Sequence, residues 1–269
     1  MAEGICKKLV SDRKIENITC RSCGLSAYTG DSASRSAVLA AAELGADISA
    51  HRSTAVSRYI LDETDIAVCM TRHHKEALAS YFEPKCRILV PDGGVPDPYG
   101  GNLEEYKECA RKLEAYVSDL LDVLTAEIVS MNESHVSQIA EIEKLCFSAP
   151  WTENSIREEL TNEVAHFIAA VSGEKVLGYI GVHEICGEAY VDNIAVRPDY
   201  RRMGLGEKLL CEAQNGATKR NCEFISLEVR KSNAPAIALY EKQGYNIAGE
   251  RKIFYTDPDE DGLIMTKGL

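Results

Sequence analysis

The stretch from Val191 to Leu210 constrains the fold more than any other part of the chain. An apolar strand runs into Arg197-Pro198, a turn with glycines at 204 and 206 follows, and a helix begins whose apolar positions are Leu205, Leu209, Leu210 and Ala213. Gly204 and Gly206 therefore fall at a helix N-terminus. The backbone N–H groups of a first helical turn have no partner inside the helix, and the helix dipole adds positive potential there, so such a turn is an anion site. Glycine lets a pyrophosphate approach that backbone without a side chain in the way.

A second patterned stretch runs from Ser226 to Tyr245. The strand Phe224 to Val229 leads into a helix from Ala234 to Lys242, and Gly244 stops it. Asn233 stands at the N-cap position and Pro235 in the first turn. Glu228 is a carboxylate on an otherwise apolar strand, and Tyr240 lies on the helix face near the same cleft. Spacing alone leaves each residue two readings. Glu228 can be a chemical group, or a solvent-facing charge or partner of Arg230. Tyr240 can be a proton donor or ordinary helix packing.

The turn Arg201-Arg202-Met203-Gly204-Leu205-Gly206 resembles the acetyl-CoA loop of the GCN5-related acetyltransferase superfamily, whose pattern is R/Q-x-x-G-x-G/A. Acetylating an amine needs two groups. The amine is mostly protonated at neutral pH, and a carboxylate can take its proton, directly or through water. A departing thiolate needs a proton, which a phenol can supply. More specific likenesses are Cys146 to Thr152, with its Phe-Ser-x-Pro-Trp run, Asn193 to Gly206, Leu227 to Tyr240, Gly244-Tyr245, and the tail from Arg251 to Met265. By these, nearly all of residues 126–269 resembles the ribosomal-protein-alanine N-acetyltransferases. The resemblance implies a mixed-sheet α+β fold with Glu228 as proton acceptor and Tyr240 as proton donor. It implies that Ile194, Ala195 and Val196 offer backbone groups to the pantetheine arm and acetyl carbonyl. It places Arg202, Met203, Gly204, Leu205, Gly206 and Glu207 around the pyrophosphate, and Asn233 against CoA. It also implies, as acceptor, the N-terminal alanine of small-subunit ribosomal protein 18, a basic peptide. No metal is expected. Residues 126–269 hold 23 carboxylates against 15 lysines and arginines, a net of −8, which would attract a basic chain end. The family's tandem aromatics survive only partly, in Phe254-Tyr255-Thr256.

The chain's 269 residues suit two domains, and the pattern changes near Thr125. The expected boundaries are residues 1–124 and 126–269. The first part alternates helices with short buried strands, which predicts a parallel sheet with helices on both faces. Helices are expected over residues 1–11, from Ser32 to Leu44 (stopped by Gly45), from Arg72 to Tyr81 and from Asn102 to Leu121. Strands are expected from Asn17 to Ser22, Asp65 to Met70 and Cys86 to Val90, with a loop from Pro91 to Gly101. Met1 to Gly4, Ser26 to Ala33, Asp47 to Ser53, Asp65 to Thr71 with His73-His74-Lys75, and Val95 to Gly101 together resemble low-molecular-weight protein tyrosine or arginine phosphatases. That likeness makes Asp97 the counterpart of the family's general acid. The family nucleophile is a cysteine in a C-x5-R loop, and here no cysteine is followed six positions on by arginine. Such a phosphatase needs a thiolate and an arginine clamp, so no phosphatase activity is expected. Two explanations stand: a native start further upstream, carrying the loop and the first strand of an incomplete sheet, or decay of the domain into a scaffold.

A net charge of −12 argues against nonspecific nucleic-acid binding and against an anionic membrane surface. No apolar run is long enough to span a bilayer, and no signal peptide is seen. A cytoplasmic setting is expected, and most of the ten cysteines sit inside apolar runs, where such thiols stay reduced and act as small hydrophobes. Cys20 and Cys23 lack further ligands at zinc spacing and read as a coincidental pair. Other amine acceptors, a noncatalytic acetyl-CoA or peptide binder, and a truncated phosphatase–acetyltransferase fusion remain alternatives at this stage.

Overall fold

The computed structural model describes residues 1–82, 86–90 and 93–269, with backbone only for residues 80–82. It divides into two compact units, Met1–Asp122 and Val123–Leu269.

The first unit contains α1 (Ala2–Asp12), α2 (Arg35–Glu43), α3 (Arg58–Asp62), β1 (Ala67–Cys69), α4 (Arg72–Phe82) and β2 (Cys86–Ile88), followed by α5 (Leu103–Thr125), whose last three residues already belong to the second unit. β1 and β2 form a two-stranded parallel sheet, Ala67 opposite Cys86 and Cys69 opposite Ile88. α2 begins where Ser34 accepts a hydrogen bond from the Ala37 amide, a cap of about 1 kcal/mol. The helix turns Ala37, Ala40 and Ala41 inward, where small side chains let it pack tightly against Ile5, Ala110 and Leu113. Gly45 follows in the left-handed region at φ +77° and ends the helix.

Two sequence expectations fail here. Asn17 to Ser22 is not a strand: of its residues only Ile18 packs against the core, and no neighbouring strand offers it a ladder among the described residues. Nor are all ten thiols reduced. Cys6 of α1 is disulfide-bonded to Cys20, their Cα atoms 6.5 Å apart, because this extended segment runs beside α1. Cys23 stays a free thiol. The predicted loop starts at Pro91 and Asp92, which lie outside the described residues.

The second unit follows the order β3 (Glu127–Ser130), α6 (Glu133–Cys146), α7 (Glu153–Glu158), β4 (Ala165–Ser172), β5 (Lys175–Ile185), β6 (Glu188–Val196), α8 (Leu205–Lys219), β7 (Phe224–Arg230), α9 (Ala234–Lys242), β8 (Asn246–Thr256) and β9 (Asp259–Gly268). The seven strands make one mixed sheet, β3-β4-β5-β6-β7-β9-β8. Among the described residues only β6 and β7 run parallel in it. Leu205, Leu209, Leu210 and Ala213 of α8 pack on one face with Ile225, Leu227 and Val229. Val136, Ile139, Ala140 and Ile142 of α6 pack with Phe167 and Tyr179 in a separate core cluster. The tail from Arg251 to Met265 lies within a hairpin, β8–β9.

Candidate active site

The site is made by two strands that separate. β6 and β7 share a ladder of four pairs among the described residues, from Glu188 opposite Phe224 to Val191 opposite Leu227. Both strands continue, β6 to Val196 and β7 to Arg230. Ile194, Ala195 and Val196 keep their pairing with β5, so their second edge faces the gap. Backbone polar groups on such an edge are free to pair with an extended partner. The sequence-predicted residues 194–196 are thus brought to the groove.

At the end of β6 the chain makes a short 3-10 turn, Pro198–Tyr200, then a loop with two left-handed residues, Arg202 at φ +66° and Gly204 at φ +88°. Alternation of this kind gathers successive N–H groups into a concave anion nest. Gly204 is also the N-cap of α8, so the nest merges with the positive end of a fifteen-residue helix. At Gly206 an added Cβ would meet nothing nearer than Leu239 Cδ2 at 3.6 Å. Packing therefore does not demand glycine there, in keeping with a pattern that accepts alanine. The Glu207 carboxylate accepts from Lys242 Nζ (2.8 Å) and Gln243 Nε2 (2.9 Å), so it is engaged with α9 and its C-terminal end. Met203 packs against the α8-side core. Asn233 caps α9, accepting from the Ala236 amide at 3.3 Å.

Glu228 lies on β7 between Leu227 and Val229, which point into the α8-side core. Strand alternation therefore puts its side chain on the opposite face. Its ion partner is Arg251, Nη2 to Oε1 3.3 Å. Arg230, the partner the sequence suggested, instead pairs with Glu260 at 3.2 Å and donates to the Asp257 carbonyl at 2.7 Å. Tyr240 is 5% exposed, inside the α8-side core, its ring 5.8 Å from that of Tyr245. Burial, then the nearby Tyr245 and Tyr255, push its phenol above the ordinary tyrosine range, so it stays protonated. Tyr255 stands on the neighbouring strand β8. Burial and then the Glu228 carboxylate push its phenol up to about 12, while the Arg230 guanidinium sits 4.4 Å from the ring centroid.

Two features of the mouth were not anticipated. β6 carries a bulge: Gly181 pairs with Asn193 and Val182 with Val191, leaving Asp192 without an opposite residue. Asp192 Oδ2 lies 2.8 Å from His183 Nδ1, and His183 Nε2 lies 2.8 Å from Glu159 Oε2. The other feature is Glu143, fully buried on α6, which accepts from the Trp151 amide (2.6 Å), Asn193 Nδ2 (3.0 Å) and the Tyr179 hydroxyl. Burial pushes its carboxyl up, and the three donors oppose that shift. A sequence signal existed for Glu143, since it shares the helical register of Val136, Ile139 and Ala140. The bulge left none. Among the described residues no cluster of three or more His, Cys, Asp or Glu is placed to hold a metal ion.

The acetyltransferase (GNAT) family model matches residues 136–245, and the model for low molecular weight phosphotyrosine protein phosphatases matches residues 1–134. The chain is 38% identical over 141 residues to the putative [ribosomal protein bS18]-alanine N-acetyltransferase of Bacillus subtilis (strain 168), covering 52% of this chain and 93% of that protein. It is 36% identical over 140 residues to the [ribosomal protein bS18]-alanine N-acetyltransferase of Escherichia coli (strain K12), covering 51% and 94%. The crystal structure of the Escherichia coli ribosomal-protein-S18-alanine N-acetyltransferase superposes with a TM-score of 0.50 at 34% identity, over 53% of this chain and 93% of that one. The chain belongs to the GNAT acetyltransferase family through its second unit, and its first part is phosphatase-like.

Proposed function

We propose that residues 126–269 transfer acetyl from acetyl-CoA to the N-terminal alanine α-amine of small-subunit ribosomal protein 18. The observation that carries this reading is the parting of β6 from β7 just where Glu228 stands. It makes a groove with a free backbone edge on one side, a carboxylate on the other and an anion nest at its end. A long, thin ligand with a diphosphate and an extended amide-bearing arm fits those three features.

When bound, acetyl-CoA supplies the acetyl group activated as a thioester. Arg202 to Glu207 bind the diphosphate through backbone N–H groups, and Asn233 contacts CoA. Ile194, Ala195 and Val196 orient the arm along the open edge of β6. Glu228 takes the proton from the acceptor ammonium, directly or through water. Tyr240 holds a proton for the departing thiolate, and its burial keeps that proton in place until it is needed. The net charge of −8 on residues 126–269 draws a basic peptide end toward the mouth. Ribosomal-protein acetylation sets this activity in the cytoplasm and requires neither nucleic acid nor membrane as partner. In the described residues no helix is long and apolar enough to cross a bilayer.

The test is transfer to a synthetic peptide with the basic N-terminus of ribosomal protein 18, beside the same peptide with its α-amine blocked, read by mass spectrometry. Acetylation of the free-amine peptide alone is expected. No transfer to either, with CoA still bound, would remove this acceptor and leave lysines and small amines. Acetylation of both peptides would point to a side-chain amine.

The phosphatase-like part is read as carrying no phosphatase chemistry in this chain. Asp97 accepts from the Tyr99 amide at 3.0 Å, and no cysteine is paired with an arginine at the spacing a phosphate loop needs.

A further inference from the structure

Glu143 is a carboxylate with no exposed surface, held among Val136, Ile139 and Ala140 on the core face of α6. Burying an ionisable group is costly unless every lone pair finds a donor. Its three donors come from three separate places: Trp151 in the connection to α7, Tyr179 on β5 and Asn193 on β6. A carboxylate accepts only, which suits three donors, whereas an amide would bring a donor of its own.

Two of these places border the groove. Asn193 sits at the bulge, directly before the open-edged residues 194–196. Trp151 lies in the connection between α6 and α7, where Ser148 donates to the Asp257 carbonyl at 2.9 Å. That carbonyl also accepts from Arg230, at the end of the strand bearing Glu228. The connection, residues 147–152, therefore reaches the lip that bears Glu228 from one end and is tied to β6 through Glu143 at the other.

We infer that Glu143 is a positioning residue, which fixes the 147–152 connection against the open segment of β6 and so sets where the acceptor peptide enters. The inference rests on the acetyl-transfer reading above. It predicts that losing the carboxylate harms acceptor binding more than CoA binding or turnover. Trp151 is the chain's single tryptophan, so its emission reports the connection directly.

The experiment compares the full chain with Glu143→Leu and Glu143→Gln. It measures kcat and KM for the peptide, the Kd for CoA, thermal melting, and Trp151 emission. For Glu143→Leu the peptide KM is expected to rise at least tenfold, with kcat and the CoA Kd within threefold and the emission shifted to the red. A KM within twofold of the parent overturns the inference, as does a parallel loss of KM, kcat and CoA affinity. Should the leucine variant fail to fold, Glu143→Gln decides, since it keeps one accepting oxygen. A KM rise of at least threefold with an emission shift supports the inference, and the absence of either overturns it. A parent chain inert toward the peptide sinks the acceptor assignment instead. The emission of the variants then decides the role of Glu143 alone, an unchanged spectrum overturning it.

Discussion

Arg251 Nη2 lies 3.3 Å from Glu228 Oε1, reaching across β9 from the edge strand β8. The guanidinium is half exposed, so the pair contributes little to stability. Glu228→Gln keeps the shape and removes the proton acceptor. Turnover should fall about 10²-fold or more while CoA affinity stays within a few-fold. Steady-state kinetics beside calorimetric CoA titration checks both; near-normal turnover would remove Glu228 from the mechanism.

Tyr240→Phe deletes one oxygen from a packed ring. The α8-side core should survive, and turnover should fall about 10²-fold. A variant that melts with the parent and keeps full activity would leave Tyr240 a packing residue.

Gly204 and Gly206 should respond differently to alanine. Gly204 sits at φ +88°, where a side chain costs about 1–2 kcal/mol, so Gly204→Ala should lower the melting temperature and weaken CoA binding. Gly206→Ala meets only ordinary contact and should keep both close to the parent. Equal behaviour of the two would contradict the nest geometry.

His183 offers a pH test of stability. Burial alone would lower its pKa, but the bond to Glu159 and the nearby Asp192 outweigh it, and the folded value is raised above the ordinary histidine range. A raised folded pKa gives stability that is complete below the unfolded pKa and fades as pH climbs through the folded one. His183→Gln should therefore melt well below the parent near pH 6, with the difference shrinking by pH 8.5. A difference that grows with pH would mean the imidazole is held neutral.

No hydrolysis of an aryl phosphate is expected from this chain. Hydrolysis that Asp97→Ala abolishes would overturn that, because it would require a nucleophile other than a C-x5-R cysteine.

The second unit was largely legible because its signals are local. The strand, Arg-Pro turn and glycine-led helix around Gly204 are written in consecutive residues, as are the Asn233 cap and the α9 stop at Gly244. The first unit was less so. Asn17 to Ser22 has the look of a strand, yet a strand exists only when a neighbour pairs with it, and nothing in six residues says whether one does. The Cys6–Cys20 pairing likewise depends on how a segment lies beside a helix. At the site, alternation placed Glu228 on the correct strand but could not choose Arg251 over Arg230, because that choice turns on β8 folding back over β9. The bulge at Asp192 reverses the facing of side chains beyond it, and a one-residue shift of this kind leaves no periodic trace.

The four-pair ladder between β6 and β7 gives this sheet two edges in its middle. An unpaired edge is ordinarily a hazard, since it invites another chain to add itself as a strand. Here the two edges belong to one sheet, still joined at Glu188 to Val191, so the opening is a line rather than a surface: a partner meets it along the free groups of residues 194–196.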